Sequence, residues 1–238
     1  TVHTSDVSRI QYGAERGRFY DREKRLYLKD KVDIEQRESE LKADEVSYYM
    51  QVNKIVSTGN VRTKSFNRQT GNRIWINAER VISWPKKEVS EYHRNVDGRI
   101  VRKRRYEEDI EFSSNHLTML LPEQKIDLNG EVYLKKQEVE ARSLRGEIFL
   151  ENYNKELKYF VLYDDVKLKE KVVLEGTSYT RKAFAEKLEG IVSDEKIILT
   201  GYPKVYQKSD VIKGNRIVLR ENNEVIEVDD AQSQFIIR

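Results

Sequence analysis

Small and apolar residues recur along this chain in a spaced pattern that repeats roughly seven times. Counted from a small residue at position zero, apolar or small residues follow at +3, +5, +12, +14, +16 and +18. A pattern that returns in this way indicates one supersecondary unit used many times over. The clearest copy contains Ala43, Val46, Tyr48, Ile55, Ser57, Gly59 and Val61. The copies start at Ala14, Ala43, Ala78, Ser114, Arg145, Ala185 and Gly214.

Each copy has the pattern of a β-hairpin. Within each half of the unit the apolar residues are two apart, which places them on one face of an extended strand. A polar break between +5 and +12 is rich in residues that favour turns. The breaks cover residues 21–24, 51–54, 122–125, 193–196 and 221–224. The sequence therefore predicts an all-β chain of tandem antiparallel hairpins.

The offset changes from even to odd between position zero and +3, so the buried face changes there. A bulge or bend after the small residue would produce this change, and a small side chain suits such a site. Gly59, Gly130 and Gly201 stand at +16, where we expect the second strand of the unit to bend as well.

Some segments fit the repeat less well. Residues 179–188 have the propensity of a short helix, but their place in the repeat favours a strand. Residues 97–109 and 169–180 interrupt the pattern and are predicted to form long loops. Pro203 replaces an apolar residue at +18 and moves it to Val205, which predicts a bulge or a sheet edge because proline cannot donate to a ladder.

Composition agrees with a folded β-protein whose outer strand faces are charged. The chain is 38% hydrophobic and 36% charged, with 14 Tyr and 7 Phe. We find no linker and predict a single domain over residues 1–238. No apolar run approaches the ~20 residues of a membrane span. The net charge is +3, and the one basic run, at residues 99–105, is weak as a nucleic-acid patch; it is expected to be a solvated loop or strand edge, with contact to an anionic headgroup as the alternative. The absence of Cys excludes disulfides.

Nothing in the sequence indicates catalysis, a cofactor or a metal site. His3, His93 and His116 are scattered, and an outward polar role is expected for His116. Nucleophile elbows, phosphate-binding loops and dinucleotide fingerprints are missing. We therefore expect no enzyme, although two carboxylates in a groove would suit a carbohydrate-active enzyme and remain an alternative.

Several tandem motifs resemble the OstA-like family of lipopolysaccharide transport proteins, which includes LptA and LptC. Residues 198–219 read ILTGYPKVYQKSDVIKGNRIVL and are followed by NEVIEV at 223–228. The family typically shows a hydrophobic-Leu-x-Gly-x-(Pro/Ala)-x-Val strand, a polar turn and Ile-x-Gly-(Asn/Asp)-x-Ile. LKADEVSY at 41–48 with KIVSTGNV at 54–61 is similar, and YGAERGRFYD at 12–21 looks like the LptC variant.

The resemblance implies an open β-jellyroll with an apolar interior. It also implies a periplasmic protein that shields the acyl chains of lipid A between the inner and outer membranes. An upstream segment would anchor such a protein to the inner membrane if it corresponds to the anchored component. Family members line up end to end, so other lipopolysaccharide transport proteins would be its partners. The alternative is a structural β-scaffold or envelope spacer with a dry core.

A groove for acyl chains needs only a continuous apolar lining. Whether the apolar residues of the repeat contact lipid or only pack against one another stays open at this stage. The open strand edges of such a roll, at residues 10–19 and 231–237, are candidates for strand addition or self-association. The predicted lining consists of Val46, Tyr48, Ile55, Leu117, Met119, Ile126, Leu128, Ile148, Leu150, Leu157, Ile197, Leu199, Ile217 and Leu219.

Overall fold

The computed structural model describes residues 11–36, 38–66, 71, 73–101, 109–151, 156–174, 176–220 and 226–234. Its regular elements are β-strands and one short 3₁₀ helix, Pro85–Lys87, so the all-β prediction is confirmed. In the part of the chain so described, no helix has the length and hydrophobicity of a membrane-spanning segment. The strands are β1 (Gln11–Gly13), β2 (Arg16–Tyr20), β3 (Arg25–Gln36), β4 (Ser39–Tyr49), β5 (Lys54–Phe66), β6 (Arg73–Trp84), β7 (Val89–Val101), β8 (Ile110–Leu120), β9 (Lys125–Lys136), β10 (Val139–Glu151), β11 (Glu156–Leu174), β12 (Thr177–Ile191), β13 (Lys196–Thr200), β14 (Lys204–Gln207), β15 (Asp210–Lys213), β16 (Arg216–Arg220), β17 (Ile226–Asp229) and β18 (Gln232–Gln234).

The strands from β3 to β12 form an unbroken series of antiparallel hairpins. β12 then pairs with both β13 and β14, and the sheet continues from these through β16 and β15. Over the described residues β2 pairs with β3 and β17 with β16, so the sheet does not close into a barrel. This arrangement is the open roll of tandem hairpins that the sequence predicts.

Every long strand bends near its middle, at the place the repeat predicts. The ladder register shifts between Lys42 and Glu45 on β4, next to the small residue Ala43. On the facing strand β5, Gly59 and Asn60 both have positive φ, at 76° and 47°. Such a pair of left-handed residues opposite one residue makes a bulge that turns the strand. The same register shift recurs on the strands from β3 to β11.

We call this line of bends the corner. A small buried residue faces a buried valine at the corner of each hairpin, as in the pairs Ala43 with Val32 and Ala78 with Val61. A larger residue in place of the alanine would meet that valine in the fold. The packing at the corner therefore explains why the residue at position zero of the repeat is small.

The corner divides the sheet into two layers that pack face to face. Their inner residues form one hydrophobic cluster, and Thr63 of one layer is hydrogen-bonded to Tyr92 of the other. The first layer contains residues 16–20, 25–29, 45–49, 54–58, 80–84, 89–93, 116–120, 125–129, 145–151, 156–163, 187–191, 196–200, 216–220 and 226–229. The second layer contains residues 11–13, 32–36, 39–43, 61–66, 73–78, 96–101, 110–114, 132–136, 139–143, 166–174, 177–185, 204–207, 210–213 and 232–234.

The structure tests the predictions made for the segments that fit the repeat less well. Residues 179–188 lie within β12, which confirms the strand and excludes the helix. Pro203 stands between β13 and β14, where the strand is interrupted as predicted, and Val205 beyond it is fully buried. Residues 97–101 are strand, and 102–108 lie outside the described residues. The predicted loop at 169–180 is wrong, because residues 169–174 on β11 pair with residues on β12 that include 177–180.

The copy of the repeat that starts at Arg145 is also misplaced. The corner residue of β10 is Ser143, which faces Val132, so the unit starts two residues earlier. A further register shift between Phe149 and Leu150 lengthens this hairpin and disturbs its spacing. The assignment of residues 1–238 to one domain stays a prediction.

Candidate binding trough between the two layers

The inner face of the first layer consists of two rows of side chains that run across the strands. Directly paired residues stand side by side on the same face of a sheet, so the register defines each row. The row nearest the corner is Leu28, Val46, Ser57, Val81, Tyr92, Leu117, Leu128, Gly146, Leu162, Leu188, Leu199, Ile217 and Val228. The row nearer the hairpin turns is Leu26, Tyr48, Ile55, Ser83, Ser90, Met119, Ile126, Ile148, Phe160, Gly190, Ile197, Leu219 and Ile226.

All of the predicted lining residues lie on this inner face. Most belong to the two rows, and Leu150 and Leu157 pair with each other just beyond them. Tyr48, Ile55 and Met119 are half-buried, and the rest are buried. The structure therefore brings these residues together into one apolar wall, which we call the first wall. Their contact with lipid stays a prediction.

The opposite wall, on the inner face of the second layer, was missing from the predicted lining. Its central row is Ile34, Leu41, Thr63, Ile76, Gly98, Phe112, Leu134, Ala141, Leu168, Ala183, Val205 and Ile212. Several of these are the apolar residues that stand two positions before the start of a copy, such as Leu41 and Ile76. An apolar residue two positions before the start of a copy is therefore the sequence feature that could have predicted the second wall.

The trough between the walls is open at its N-terminal end. Tyr12 and Phe19 extend the inner rows there, and their exposed fractions are 59% and 54%. Leu26 on β3 and Leu41 on β4, further in along the same rows, are half-buried. Apolar inner-face side chains are therefore accessible to solvent or a ligand along the first hairpins.

From β9 to β14 the trough is closed, whereas Ile212, Ile226 and Val228 on the last strands are half-buried again. Ile126, Ile148 and Ile197, which occupy the same row as Leu26, are at most 3% exposed. A cavity of about 20 Å³ between the layers, lined by Phe160, Leu168 and other residues, is enough for about one water molecule. In this state the walls of the closed end pack mainly against each other.

Two phenylalanines fill the space above glycines on the neighbouring strand. Phe112 pairs with Gly98 in the second layer, and Phe160 pairs with Gly190 in the first. A Cβ atom on Gly98 would lie 2.1 Å from Cζ of Phe112, and one on Gly190 would lie 2.2 Å from Cζ of Phe160. Both glycines are therefore required by the rings that cover them.

A hydrogen bond joins the two walls in the middle of the trough. The Tyr92 hydroxyl lies 3.1 Å from Oγ1 of Thr63, whose hydroxyl also donates to the carbonyl of Ile76 at 3.3 Å. Burial raises the pKa of Tyr92, so the phenol stays neutral. Because its hydroxyl is satisfied, this tyrosine is compatible with an otherwise apolar interior.

The second wall ends in a buried ion pair. Arg181 and Glu170 are cross-strand neighbours that point inward, with exposed fractions of 0% and 2%. Nη1 of Arg181 donates to Glu170 at 3.1 Å, and its Nε donates to the side-chain oxygen of Gln207 at 2.8 Å. The sequence analysis missed this cluster, because charged residues in an alternating strand are expected to face outward.

The outer face of the first layer carries polar networks. Nζ of Lys125 lies 2.8 Å from Asp127 and 2.5 Å from Glu147. Burial lowers the pKa of Lys125, but these hydrogen bonds outweigh it and raise that pKa overall. The hydroxyl of Tyr163 donates to Glu147 at 2.8 Å; burial, reinforced by this bond, raises the pKa of Tyr163 to about 12.

His93 and His116 are cross-strand neighbours, with ring centroids 4.4 Å apart. They lie on the outer face, which confirms the outward role predicted for His116. Burial, followed by the proximity of His116, lowers the pKa of His93, while Glu91 at 3.4 Å opposes the shift. Within the described ranges, no group of His, Asp and Glu side chains is arranged to hold a metal ion. His3 lies outside those ranges.

Comparison with known proteins finds a family match for part of the chain. Residues 111–225 match the sequence model of the family described as LptA/(LptD N-terminal domain) LPS transport protein. The resemblance to the OstA-like lipopolysaccharide transport family is thus confirmed over these residues. The matched family is one of transport proteins. No curated protein sequence matches the chain.

Several solved structures are similar in part. One of them is the crystal structure of LptH, the LptA homologous periplasmic component of the conserved lipopolysaccharide transport device from Pseudomonas aeruginosa. The identity is 12% and the TM-score 0.48, and the match covers 54% of this chain and 94% of that chain.

Proposed function

We propose that this chain, whose residues 111–225 match the LptA/LptD N-terminal family, is a periplasmic lipopolysaccharide transport protein. In this role the trough covers the acyl chains of lipid A between the inner and outer membranes, while the sugar headgroup stays in water. The observation that carries the proposal is the continuity of the first wall. Its two inner rows run unbroken from Leu26 and Leu28 on β3 to Ile226 and Val228 on β17.

The energetics of such a trough need no specific polar recognition. Burial of one methylene group contributes ~0.8 kcal/mol, so an acyl chain of about a dozen carbons gains on the order of 10 kcal/mol at most. Half-buried residues of the open end, such as Ile55 and Met119, are available for this contact. Flexible Met119 suits an irregular ligand because its thioether adapts to neighbouring shapes.

The narrow interior of the closed end favours a second candidate function. A space of about 20 Å³ does not admit an acyl chain, so transport requires the two layers to separate there. The corner is the place for such a movement, since the layers are continuous through it. If the layers never separate, the protein is a structural spacer with a dry core.

Photo-crosslinking distinguishes lipid in the trough from lipid outside it. A photoreactive phenylalanine derivative in place of Met119 faces the trough, and one in place of Thr118 on the same strand faces outward. In cells that make lipopolysaccharide, we expect adducts from position 119 and few from position 118. Equal adducts from both positions, or adducts from 118 alone, would contradict the proposal.

A binding measurement tests the spacer directly. The folded protein is titrated with fluorescent lipid A, and a circular-dichroism spectrum confirms that the sheet is intact. Saturable binding supports transport. A folded protein that binds no lipid A supports the spacer.

The ends of the sheet are the proposed contact sites for other transport proteins. Over the described residues, β2 pairs on one side with β3, and β17 pairs on one side with β16. Their other edges are suited to strand addition. Residue 10 and the apolar tail at 235–238 lie outside the described residues. Sedimentation at increasing protein concentration tests self-association, and a strictly monomeric protein would remove that part of the proposal.

A further inference from the structure

The outer face of the second layer differs sharply in charge between its two halves. From β3 to β8 the outward residues mix acids and bases, and ion pairs form between them, such as Lys42 with Asp33 at 3.3 Å and Arg99 with Asp109 at 2.6 Å. From β9 to β15 the charged residues that point outward are mostly cationic. We call this second half the basic face; its cations are Lys135, Arg142, Lys167, Lys169, Lys171, Lys182, Lys204 and Lys213.

The cations of the basic face lie directly opposite one another across the strands. Lys169 pairs with Lys182, and Lys204 pairs with Lys213. Like charges in such positions destabilise a sheet. Some of the cations do have acidic neighbours: Lys167 lies 2.6 Å from Asp165, Lys135 lies 4.0 Å from Glu140, and Lys169 pairs across the strands with Glu140. Among the described residues, no carboxylate forms an ion pair with Lys169, Lys182 or Lys204.

Two exposed aromatic residues lie in the middle of the basic face. Phe184 and Tyr206 are 39% and 42% exposed, and their rings pack edge to face at 5.8 Å. Lys204 pairs with Phe184, and Lys182 pairs with Tyr206. The fold thus leaves two aromatic side chains partly exposed and places positively charged residues beside them.

We propose that the basic face binds the surface of an anionic lipid bilayer. Lysines near such a surface are attracted by its negative potential, and amphipathic aromatic residues insert at headgroup level. Because the two rings pack edge to face, they do not offer parallel platforms for stacked bases, which disfavours single-stranded nucleic acid as the partner. The face is on the outside of the second layer, so the proposal is independent of lipid in the trough.

Vesicle co-sedimentation tests this surface with the intact chain. The probes are vesicles of phosphatidylcholine alone and vesicles with about 30% phosphatidylglycerol, at about 50 mM and about 500 mM NaCl. We expect binding to the anionic vesicles at low salt, at least about tenfold tighter than to the neutral ones, and loss of that binding at high salt.

Matched variants locate the binding on the molecule. K169S/K182S/K204S removes three cations of the basic face and should weaken binding at least about tenfold. K42S/R62S/K64S removes the same charge from the other half of the same layer and should leave binding unchanged. F184S/Y206S should weaken binding and leave its salt dependence intact. Thermal unfolding of each variant confirms that it folds.

Several outcomes overturn the proposal. These are no binding to anionic vesicles at low salt, an equal loss in both lysine variants, or tighter binding of a single-stranded oligonucleotide through the same lysines. The last result assigns the face to nucleic acid. None of these outcomes affects the crosslinking from position 119, so the two proposals fail independently.

Discussion

The two ends of the trough are built from the same repeat and yet differ in accessibility. At the open end Leu41 is half-buried in the central row of the second wall; at the closed end Leu168 occupies the same row and is 3% exposed. The closed end also contains the buried pair of Arg181 and Glu170, for which the open end has no counterpart among the described residues. The repeat thus sets the architecture, and individual side chains set how tightly the layers are joined.

The largest expected effect concerns the ion pair of the closed end. Glu170→Ala leaves the guanidinium of Arg181 buried without its carboxylate and should lower the free energy of unfolding by about 3–5 kcal/mol. Urea unfolding measures this loss. E170M/R181M removes both charges and should recover most of the stability. The outward pair of Lys29 and Glu45 is the control, and Glu45→Ala should lower the stability far less, because water screens this exposed pair. A similar loss in E170A and E45A would show that the closed end is not locked by this pair.

Alanine substitutions of two leucines in the second wall allow the packing of the two ends to be compared directly. Leu168→Ala should lower the free energy of unfolding by about 2–5 kcal/mol, because it leaves a cavity in a packed region. Leu41→Ala removes a half-buried side chain and should cost about 1 kcal/mol. If the two substitutions cost the same, the open end is as tightly packed as the closed one. Addition of lipid A should stabilise the wild type more than L41A, as ligand contacts at this position are lost.

Substitution of Gly98, which lies under the ring of Phe112, should change the stability by a smaller amount. The sign of that change should depend on whether the ring is present. In the wild type, Gly98→Ala places a methyl group against the ring and should cost about 1–3 kcal/mol. In a Phe112→Ala background the ring is gone, and the same substitution should be neutral or stabilise by about 0.5–1 kcal/mol. A double-mutant cycle from thermal unfolding measures the coupling. Equal effects in both backgrounds would contradict the contact.

The smallest expected effect is on pH dependence, from the histidine pair on the outer face. The pKa of His93 is lower in the folded chain than in the unfolded one, because burial and His116 outweigh Glu91, and Arg80 adds to the lowering. The unfolded chain therefore binds more protons, and this contribution to stability is present above about pH 6.5 and lost as the pH falls through the folded pKa. Between pH 7.5 and 5, stability should fall more in the wild type than in His93→Asn, by less than about 1 kcal/mol. A larger fall in the variant would reverse the assigned direction.

The architecture and the first wall are predictable because they depend on local periodicity. Alternation of two along a strand determines its inner face, and the small residue at position zero marks the corner. The predicted lining residues therefore lie in the first wall, Val46, Leu128 and Leu199 among them, while their contact with lipid stays a prediction. Part of the second wall could also be predicted, because apolar residues stand two positions before the start of most copies of the repeat. Ile76 and Phe112 are examples.

The remaining features depend on contacts between distant residues. Glu170 interrupts the apolar alternation of β11, so residues 169–180 were mistaken for a loop; the charge is buried only because Arg181 lies beside it. A bulge after Phe149 displaced the start of one copy to Arg145. His93 and His116 are neighbours through the register of two strands, which composition does not reveal.

The corner has a consequence for the dimensions that such a protein can take. Because each bend involves one hairpin and its immediate neighbour, a whole hairpin can be inserted or deleted without altering the geometry elsewhere. Neighbouring strands are about 4.8 Å apart, so every hairpin gained or lost would change the distance spanned by about 9.5 Å. The reach of the molecule would then be adjusted in fixed increments, with gene duplication of a single unit as the means.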